Sequence, residues 1–306
     1  MPSPTLTGTV DFDANAGKPC ETWYAVYGDL NSGVTPLVAL HGGPGSTHHY
    51  LLSLVDLAAT HAIPVVFYDQ LGNGNSTHLP EKSGDEGSFW TEQLFLDELD
   101  NLLSHLGIQD NYAILGQSWG GMLAARHATR HPKGLKRLVI SDSPASIPLF
   151  VKAANDELIV KLPPDVREAI VRNEEAGTTD SQEYKDAVQV FYKRHLCRLD
   201  PWPAELLTSF EWMEKDNTVY STMNGPSEFH IIGSLKEWTI EDEANQINVP
   251  TLLLNGAYDE ATDSTVLPLF KAIPKVKWYT FPESSHMPLW EEREKYMSLV
   301  AEFLAA

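Results

Sequence analysis

The chain of 306 residues carries 42 Asp and Glu against 22 Lys and Arg, a formal net charge of −20 at neutral pH. Neutralising phosphates takes clustered Lys and Arg, so an acid excess of this size argues against a nucleic acid or an anionic membrane surface as partner. With 42% hydrophobic and 21% charged residues, the composition is that of a globular protein with a sizeable core, not a disordered or fibrous chain.

In chain order, Thr7 to Phe12 and Thr22 to Tyr27 alternate polar and apolar residues and predict an antiparallel edge. Thr35 to Leu40 then reads as a strand, Ser46 to His61 as a helix, Pro64 to Tyr68 as a strand and Thr91 to Leu106 as a helix. Tyr112 to Leu115 (strand), Trp119 to His131 (helix) and Leu135 to Ile140 (strand) continue the alternation. The runs Val38-Ala39-Leu40, Val65-Val66-Phe67, Ala113-Ile114-Leu115 and Leu138-Val139-Ile140 are continuously apolar, as strands covered on both faces should be. The alternation predicts an α/β fold with a mostly parallel central sheet and helices on both faces.

The rhythm breaks after Ser143-Pro144. From there to Trp238 the chain reads as helices separated by Pro163-Pro164, a stretch around Gly177 and Asp200-Pro201-Trp202-Pro203. Strands resume at Thr251 to Asn255 and Val276 to Phe281, followed by a closing helix from Glu291 to Leu304. A helical cap spanning 144–238, inserted between core segments 1–143 and 239–306, is the simplest organisation. No run approaches the roughly 18 apolar residues of a membrane helix, and the N-terminal residues show no signal-peptide pattern. Cys20 and Cys197 stand far apart in no metal-binding spacing, which fits two reduced thiols in a cytoplasmic setting.

Gly116-Gln117-Ser118-Trp119-Gly120 fits the GxSxG nucleophile elbow, and it joins a predicted strand to a predicted helix as that motif requires. A serine hydroxyl needs a base, and the base an orienting acid. In an α/β-hydrolase the order along the chain is serine, acid, histidine. Asp259 follows the strand Thr251 to Asn255, and His286 follows the last strand; both lie where open α/β sheets place their sites. Asp142 and Asp263 are the fallback acids. His41-Gly42-Gly43-Pro44-Gly45 comes directly after a buried strand, and the N–H groups of Gly43 and Trp119 are the candidate oxyanion donors. Neither HExxH nor a Cys/His cluster calls for a metal, and no P-loop or dinucleotide fingerprint calls for a nucleotide, so no cofactor is expected.

Together His41-Gly42-Gly43-Pro44-Gly45, Asp69-Gln70-Leu71-Gly72-Asn73-Gly74-Asn75-Ser76 and Gly116-Gln117-Ser118-Trp119-Gly120-Gly121 resemble the proline iminopeptidase family of α/β-hydrolases. The resemblance is closer to its proline-specific peptidase, tricorn-interacting aminopeptidase and L-amino-acid amidase branch, and it covers nearly the whole chain. It implies a serine hydrolase that removes an N-terminal residue, often proline, from a short peptide or amide with a free amine. It also implies that Glu228, in Asn224-Gly225-Pro226-Ser227-Glu228-Phe229, and Glu260, directly after the predicted acid, hold that amine. Many family members have arginine where Leu71 and Asn75 stand, which implies that this loop is held differently here. An ester, a simple amino-acid amide or a specialised metabolite as substrate stays open, as does a hydrolase-like ligand receptor.

Overall fold

The computed structural model describes residues 2–85 and 88–306. The two segments of alternating polarity form β1 (Leu6–Phe12) and β2 (Cys20–Tyr27), paired antiparallel with Phe12 opposite Cys20. β3 (Leu37–Leu40), α1 (Val55–His61), β4 (Val65–Tyr68), α2 (Glu92–His105), β5 (Tyr112–Gln117), α3 (Trp119–Thr129) and β6 (Leu135–Ser141) follow. The predicted continuous helix from Ser46 is instead a 3-10 turn, His48–Leu54, that leads into α1. Its amides are drawn sideways: His48 N–H donates to the Asp69 carboxylate at 2.9 Å and Tyr50 N–H to Ser209 Oγ at 3.2 Å.

Beyond β6 come α4 (Ile147–Ala153), α5 (Pro164–Ala176), α6 (Gln182–His195), α7 (Ala204–Lys215) and α8 (Thr218–Met223), with no strand until β7 (Thr251–Gly256). Gly177 ends α5 in the left-handed conformation, φ 67°, which glycine adopts at no steric cost. The two ends of this helical excursion are tied together. Ile147 N–H donates to Trp238 O at 2.9 Å and Ile240 N–H to Ala145 O at 3.0 Å, so the chain leaves the sheet and returns at one place.

α9 (Asp263–Ala272), β8 (Val276–Phe281), α10 (Pro288–Glu291) and α11 (Arg293–Ala305) complete the chain. The sequence reading missed α9, which carries Pro268 in its interior. It also missed α10, placing only the closing helix, from Glu291 to Leu304, where α11 stands. Glu292 separates α10 from α11 because its carboxylate accepts from Glu283 N–H and Ser284 Oγ at 3.0 and 2.7 Å, and its backbone leaves the helical region.

The eight strands form one sheet in the order β1-β2-β4-β3-β5-β6-β7-β8. All neighbours from β4 to β8 are parallel, and the antiparallel pairs lie at the β1-β2-β4 end. Successive β3 residues serve opposite cores: Val38 and Leu40 pack with α2 and α3, Leu37 and Ala39 with α1 and α11. Burial on both faces is the reason the inner strands read as unbroken apolar runs. Because the strands from β3 onward run the same way, the segments after β3, β4, β5, β6, β7 and β8 gather at one edge. Cys20 and Cys197 are buried free thiols.

Candidate active site

Ser118 sits between β5 and α3 with φ 56° and ψ −124°, a strained conformation for a residue with a side chain. The turn is fixed by its surroundings: Ser118 N–H donates to Ser141 O at 2.9 Å. The flanking glycines have no alternative, since a Cβ on Gly116 would lie 2.0 Å from Gly120 O and one on Gly120 2.1 Å from Leu40 O. The tight turn leaves Ser118 half-buried between the buried Gln117 and Trp119. It opens onto a cavity of about 360 Å³ that His286, Gly43, Glu228 and Glu260 also line.

Gly43 has φ +109°, and a Cβ there would meet Gly45 N at 2.5 Å. Among the described residues its N–H meets no protein acceptor, and Trp119 is the first residue of α3, where no intrahelical acceptor exists. These are two free amide donors beside Ser118. Hydrogen bonds join the three glycine-rich motifs. His41 Nε2 accepts from Gln70 N–H, Gln70 Nε2 donates to His41 O, and Trp119 Nε1 donates to Gln70 Oε1, each at 2.9 Å. Burial pushes His41 down to about 4, so its ring is neutral and can accept. Gln117 donates to His286 O at 3.0 Å and accepts the Tyr50 hydroxyl at 2.6 Å; that hydroxyl accepts Gly42 N–H at 2.7 Å. The residue before the serine thus ties the glycine loop to the histidine loop.

His286 Nδ1 donates to Asp259 Oδ1 at 2.6 Å, and both side chains are buried. Asp259 Oδ1 also accepts Ala261 N–H at 2.9 Å, which holds the carboxylate in place. Burial works against the imidazolium, but the charges of Asp259 and Glu260, the hydrogen bond to Asp259 and the charge of Glu228 outweigh it and hold His286 up at about 9. Of the fallback acids, Asp263 lies elsewhere, accepting from Asn255 Nδ2 at 2.9 Å. Asp142 comes close, with side-chain oxygen, Asp259 oxygen and His286 nitrogen within 4.8 Å of one another.

Asp142 is a feature the sequence reading underrated. It has φ 52°, its Oδ2 accepts the Ser141 hydroxyl at 2.6 Å, and its Oδ1 is buried without a donor. Burial and the adjacent Asp259 carboxylate push it well above the usual carboxylate range. Both causes favour the protonated form, whose proton Asp259 is placed to accept. The Asp142–Asp259–His286 set is also the one group of three metal-capable side chains found among the described residues. A metal there would have to displace the hydrogen bond between His286 and Asp259.

Glu228 and Glu260 meet on the cavity from different parts of the chain. Glu228 accepts the Tyr220 hydroxyl at 2.7 Å, and burial raises its carboxyl above the ordinary value. Glu260 is 1% exposed, both its oxygens lack a hydrogen-bond donor, and Oε1 lies 3.6 Å from His286 Nε2. Burial, with Glu228 and Asp259 adding to it against the pull of His286, pushes Glu260 well above the carboxylate range. A buried carboxylate without a donor is costly, and Glu260 is one, lining the same cavity as Glu228 and Ser118. Val188, Leu206, Phe210 and Met213 add apolar lining to the same cavity.

The two positions where the loop departs from the family pattern have local explanations. Leu71 is buried in the core, and its N–H donates to the Glu98 carboxyl at 2.9 and 3.1 Å. Asn75 donates through N–H and Nδ2 to Asp69 Oδ2 at 2.9 and 3.0 Å. Glu98, which no motif flags, holds the loop from below and also accepts Thr22 Oγ1 at 2.5 Å. Burial, only partly offset by these two hydrogen bonds, pushes Glu98 from 4.5 up to about 8. The folded state therefore holds this proton more tightly than the unfolded chain does. The stability it confers is complete below about pH 4.5 and is lost as pH rises through about 8. Glu98→Gln, which keeps the acceptor and removes the ionisation, is expected to melt at a higher temperature than the wild type at pH 9. The two melting curves should converge near pH 5, and an unchanged gap across that range would refute the assignment.

Among the described residues no helix is long and apolar enough to cross a membrane. The family model for the α/β hydrolase fold matches residues 35–293. The chain is 40% identical over 268 residues to the proline iminopeptidase of Thermoplasma volcanium, covering 88% of each chain. It superposes on the crystal structure of the proline iminopeptidase from Mycobacterium smegmatis with a TM-score of 0.89, at 43% identity over 98% of both chains. On the crystal structure of VinJ the TM-score is 0.94, at 50% identity over 99% of both chains. With the motifs, the sheet order and similarity over nearly the full length all in agreement, the chain belongs to the proline iminopeptidase family of α/β-hydrolases.

Proposed function

We propose that the protein is a serine hydrolase that releases an N-terminal residue, proline or another small apolar one, from short peptides or amino-acid amides. The observation that carries this reading is the convergence of Glu228 and Glu260 on the cavity shared by Ser118 and His286. Two carboxylates at that depth suit an ammonium one residue's length from the scissile carbonyl. The name shared by the curated relatives supports the same substrate class.

In this mechanism Ser118 Oγ attacks the carbonyl carbon of the N-terminal residue while His286 Nε2 takes its proton. Asp259, bonded to Nδ1 at 2.6 Å, fixes the tautomer and stabilises the imidazolium. The N–H groups of Gly43 and Trp119 receive the oxyanion. His286 protonates the leaving amine, and water then hydrolyses the acyl-enzyme. Residues 144–238 act as the cap: Tyr184, Tyr192 and Phe210 close the cavity over the leaving group.

Prolyl, alanyl and phenylalanyl arylamides assayed beside their N-acetyl forms and simple acyl esters test the reading. N-acetylation removes the ammonium and leaves the two carboxylates unpaired, so kcat/KM is expected to fall roughly 10²- to 10³-fold. Glu228→Gln should raise KM for the free amines and spare the N-acetyl compounds. Rapid ester cleavage with no arylamide turnover would make the protein an esterase.

A further inference from the structure

The charges lining the cavity do not balance. Glu228, Glu260 and the exposed Glu214 line it, whereas its chargeable cations among the described residues are the exposed Lys185 and His286. Glu260 is the extreme case, with both oxygens buried and no hydrogen-bond donor. Among the described residues its cationic neighbour is the His286 ring, with Nε2 3.6 Å from Oε1. That nitrogen is also the atom that must take the Ser118 proton.

We infer that the substrate's own ammonium arms His286: the empty site keeps a proton on the imidazole opposite Glu260, and the incoming ammonium displaces it. This rests on the aminopeptidase reading above and adds to it a reason why a free amine would govern turnover as well as affinity. Burial pushes the Glu260 carboxyl up and only the His286 charge pulls it down, so in this proposal Glu260 is ionised because a cation stands beside it. Before substrate arrives that cation is the imidazolium. Once the ammonium sits between Glu260 and Glu228, it supplies the compensating charge. The Nε2 proton then leaves to solvent, and the site's net charge is unchanged. One N–H bond breaks, one proton appears in the buffer, and the freed lone pair turns to Ser118.

The other groups around the ring favour the same exchange. Asp259 stays bonded to Nδ1 throughout, and burial and the Asp259 charge push the Asp142 carboxyl behind it upward. Tyr50, Tyr192 and Tyr220, also on the cavity, are held neutral by burial. Only Glu228 and Glu260 change their partner when an amine enters. The charges of Asp259, Glu260 and Glu228 and the hydrogen bond to Asp259 hold His286 up at about 9 against burial, so the free ring carries the proton that the exchange displaces.

The test uses an uncharged probe of the serine. The wild-type protein is reacted with phenylmethanesulfonyl fluoride at pH 7, and labelling of Ser118 is followed by intact mass. Methylammonium chloride is added as the small amine, with tetramethylammonium chloride, which has no N–H, as the salt control. Methylammonium is expected to speed labelling about tenfold or more, and tetramethylammonium to leave it unchanged. Glu260→Gln should label faster than the wild type without any amine, and methylammonium should no longer accelerate it. Slowed or unchanged wild-type labelling with methylammonium overturns the arming while leaving the hydrolase reading in place. Absence of labelling at any pH removes Ser118 as nucleophile, and the arming with it. Should Glu260→Gln fail to fold, calorimetry of prolinamide binding to Ser118→Ala in buffers of different ionisation enthalpy gives a second readout. About one proton released per amine bound supports the exchange, and none released overturns it.

Discussion

Ser118→Ala is expected to lower kcat on prolyl arylamides by roughly 10⁶-fold, as loss of the nucleophile does in other serine hydrolases. The melting temperature should move by only a few degrees, because the side chain opens on the cavity and not into the core. The backbone makes this position unusual. At φ 56° an alanine keeps the strain of the serine, whereas a glycine relieves it. Ser118→Gly should therefore be as inactive as Ser118→Ala and melt higher, with the gain reduced by the greater freedom of glycine in the unfolded chain. Activity near wild type in either variant would mean that another group attacks the carbonyl. Equal melting temperatures would mean that the turn is not strained.

Asp259→Asn is expected to cost roughly 10⁴-fold in kcat. The amide can keep the packing, but it offers an N–H where the imidazole needs an acceptor, so the ring loses its tautomer and its charge stabilisation. The pH profile should move as well. The Asp259 charge is among the causes holding His286 up at about 9, so removing it lowers the base and shifts the acid limb of labelling to lower pH. Asp142 is the natural control. Burial and the Asp259 charge favour its protonated form, so Asp142→Asn, which keeps a donor toward Asp259, should keep activity within about tenfold. Asp142→Leu removes the donor and should lose more, with a shifted pH profile as the mark of a positioning role. If Asp142→Asn instead matches the loss of Asp259→Asn, the orienting acid has been assigned to the wrong strand end.

How much of this was legible beforehand differs from residue to residue. Ser118 was, because a nucleophile elbow is a local object: glycines two residues either side of a serine, after an apolar run and before a helix, specify a turn that little else can form. His286 and Asp259 were legible through chain order. The helical stretch between β6 and β7 was legible because strand periodicity stops after β6 and resumes only at Thr251, and the structure pairs Ser146 with Thr239 across the two ends of that stretch. The 3-10 turn at His48 was not legible, since its cause is a pair of acceptors, Asp69 and Ser209, that lie far along the chain.

The motif residues, the order of serine, acid and histidine, and the sheet alternation are properties of short segments, so they follow from residue types and spacing alone. Burial and charge pairing are properties of distances across the fold. Only the folded chain sets the Glu98 carboxyl under Leu71, brings Asp142 against Asp259, and leaves Glu260 without a donor 3.6 Å from His286 Nε2. In sequence these are ordinary members of a set of 42 Asp and Glu residues. Their chemistry comes from desolvation and from which neighbour happens to carry a proton, and neither is encoded within any one stretch of chain.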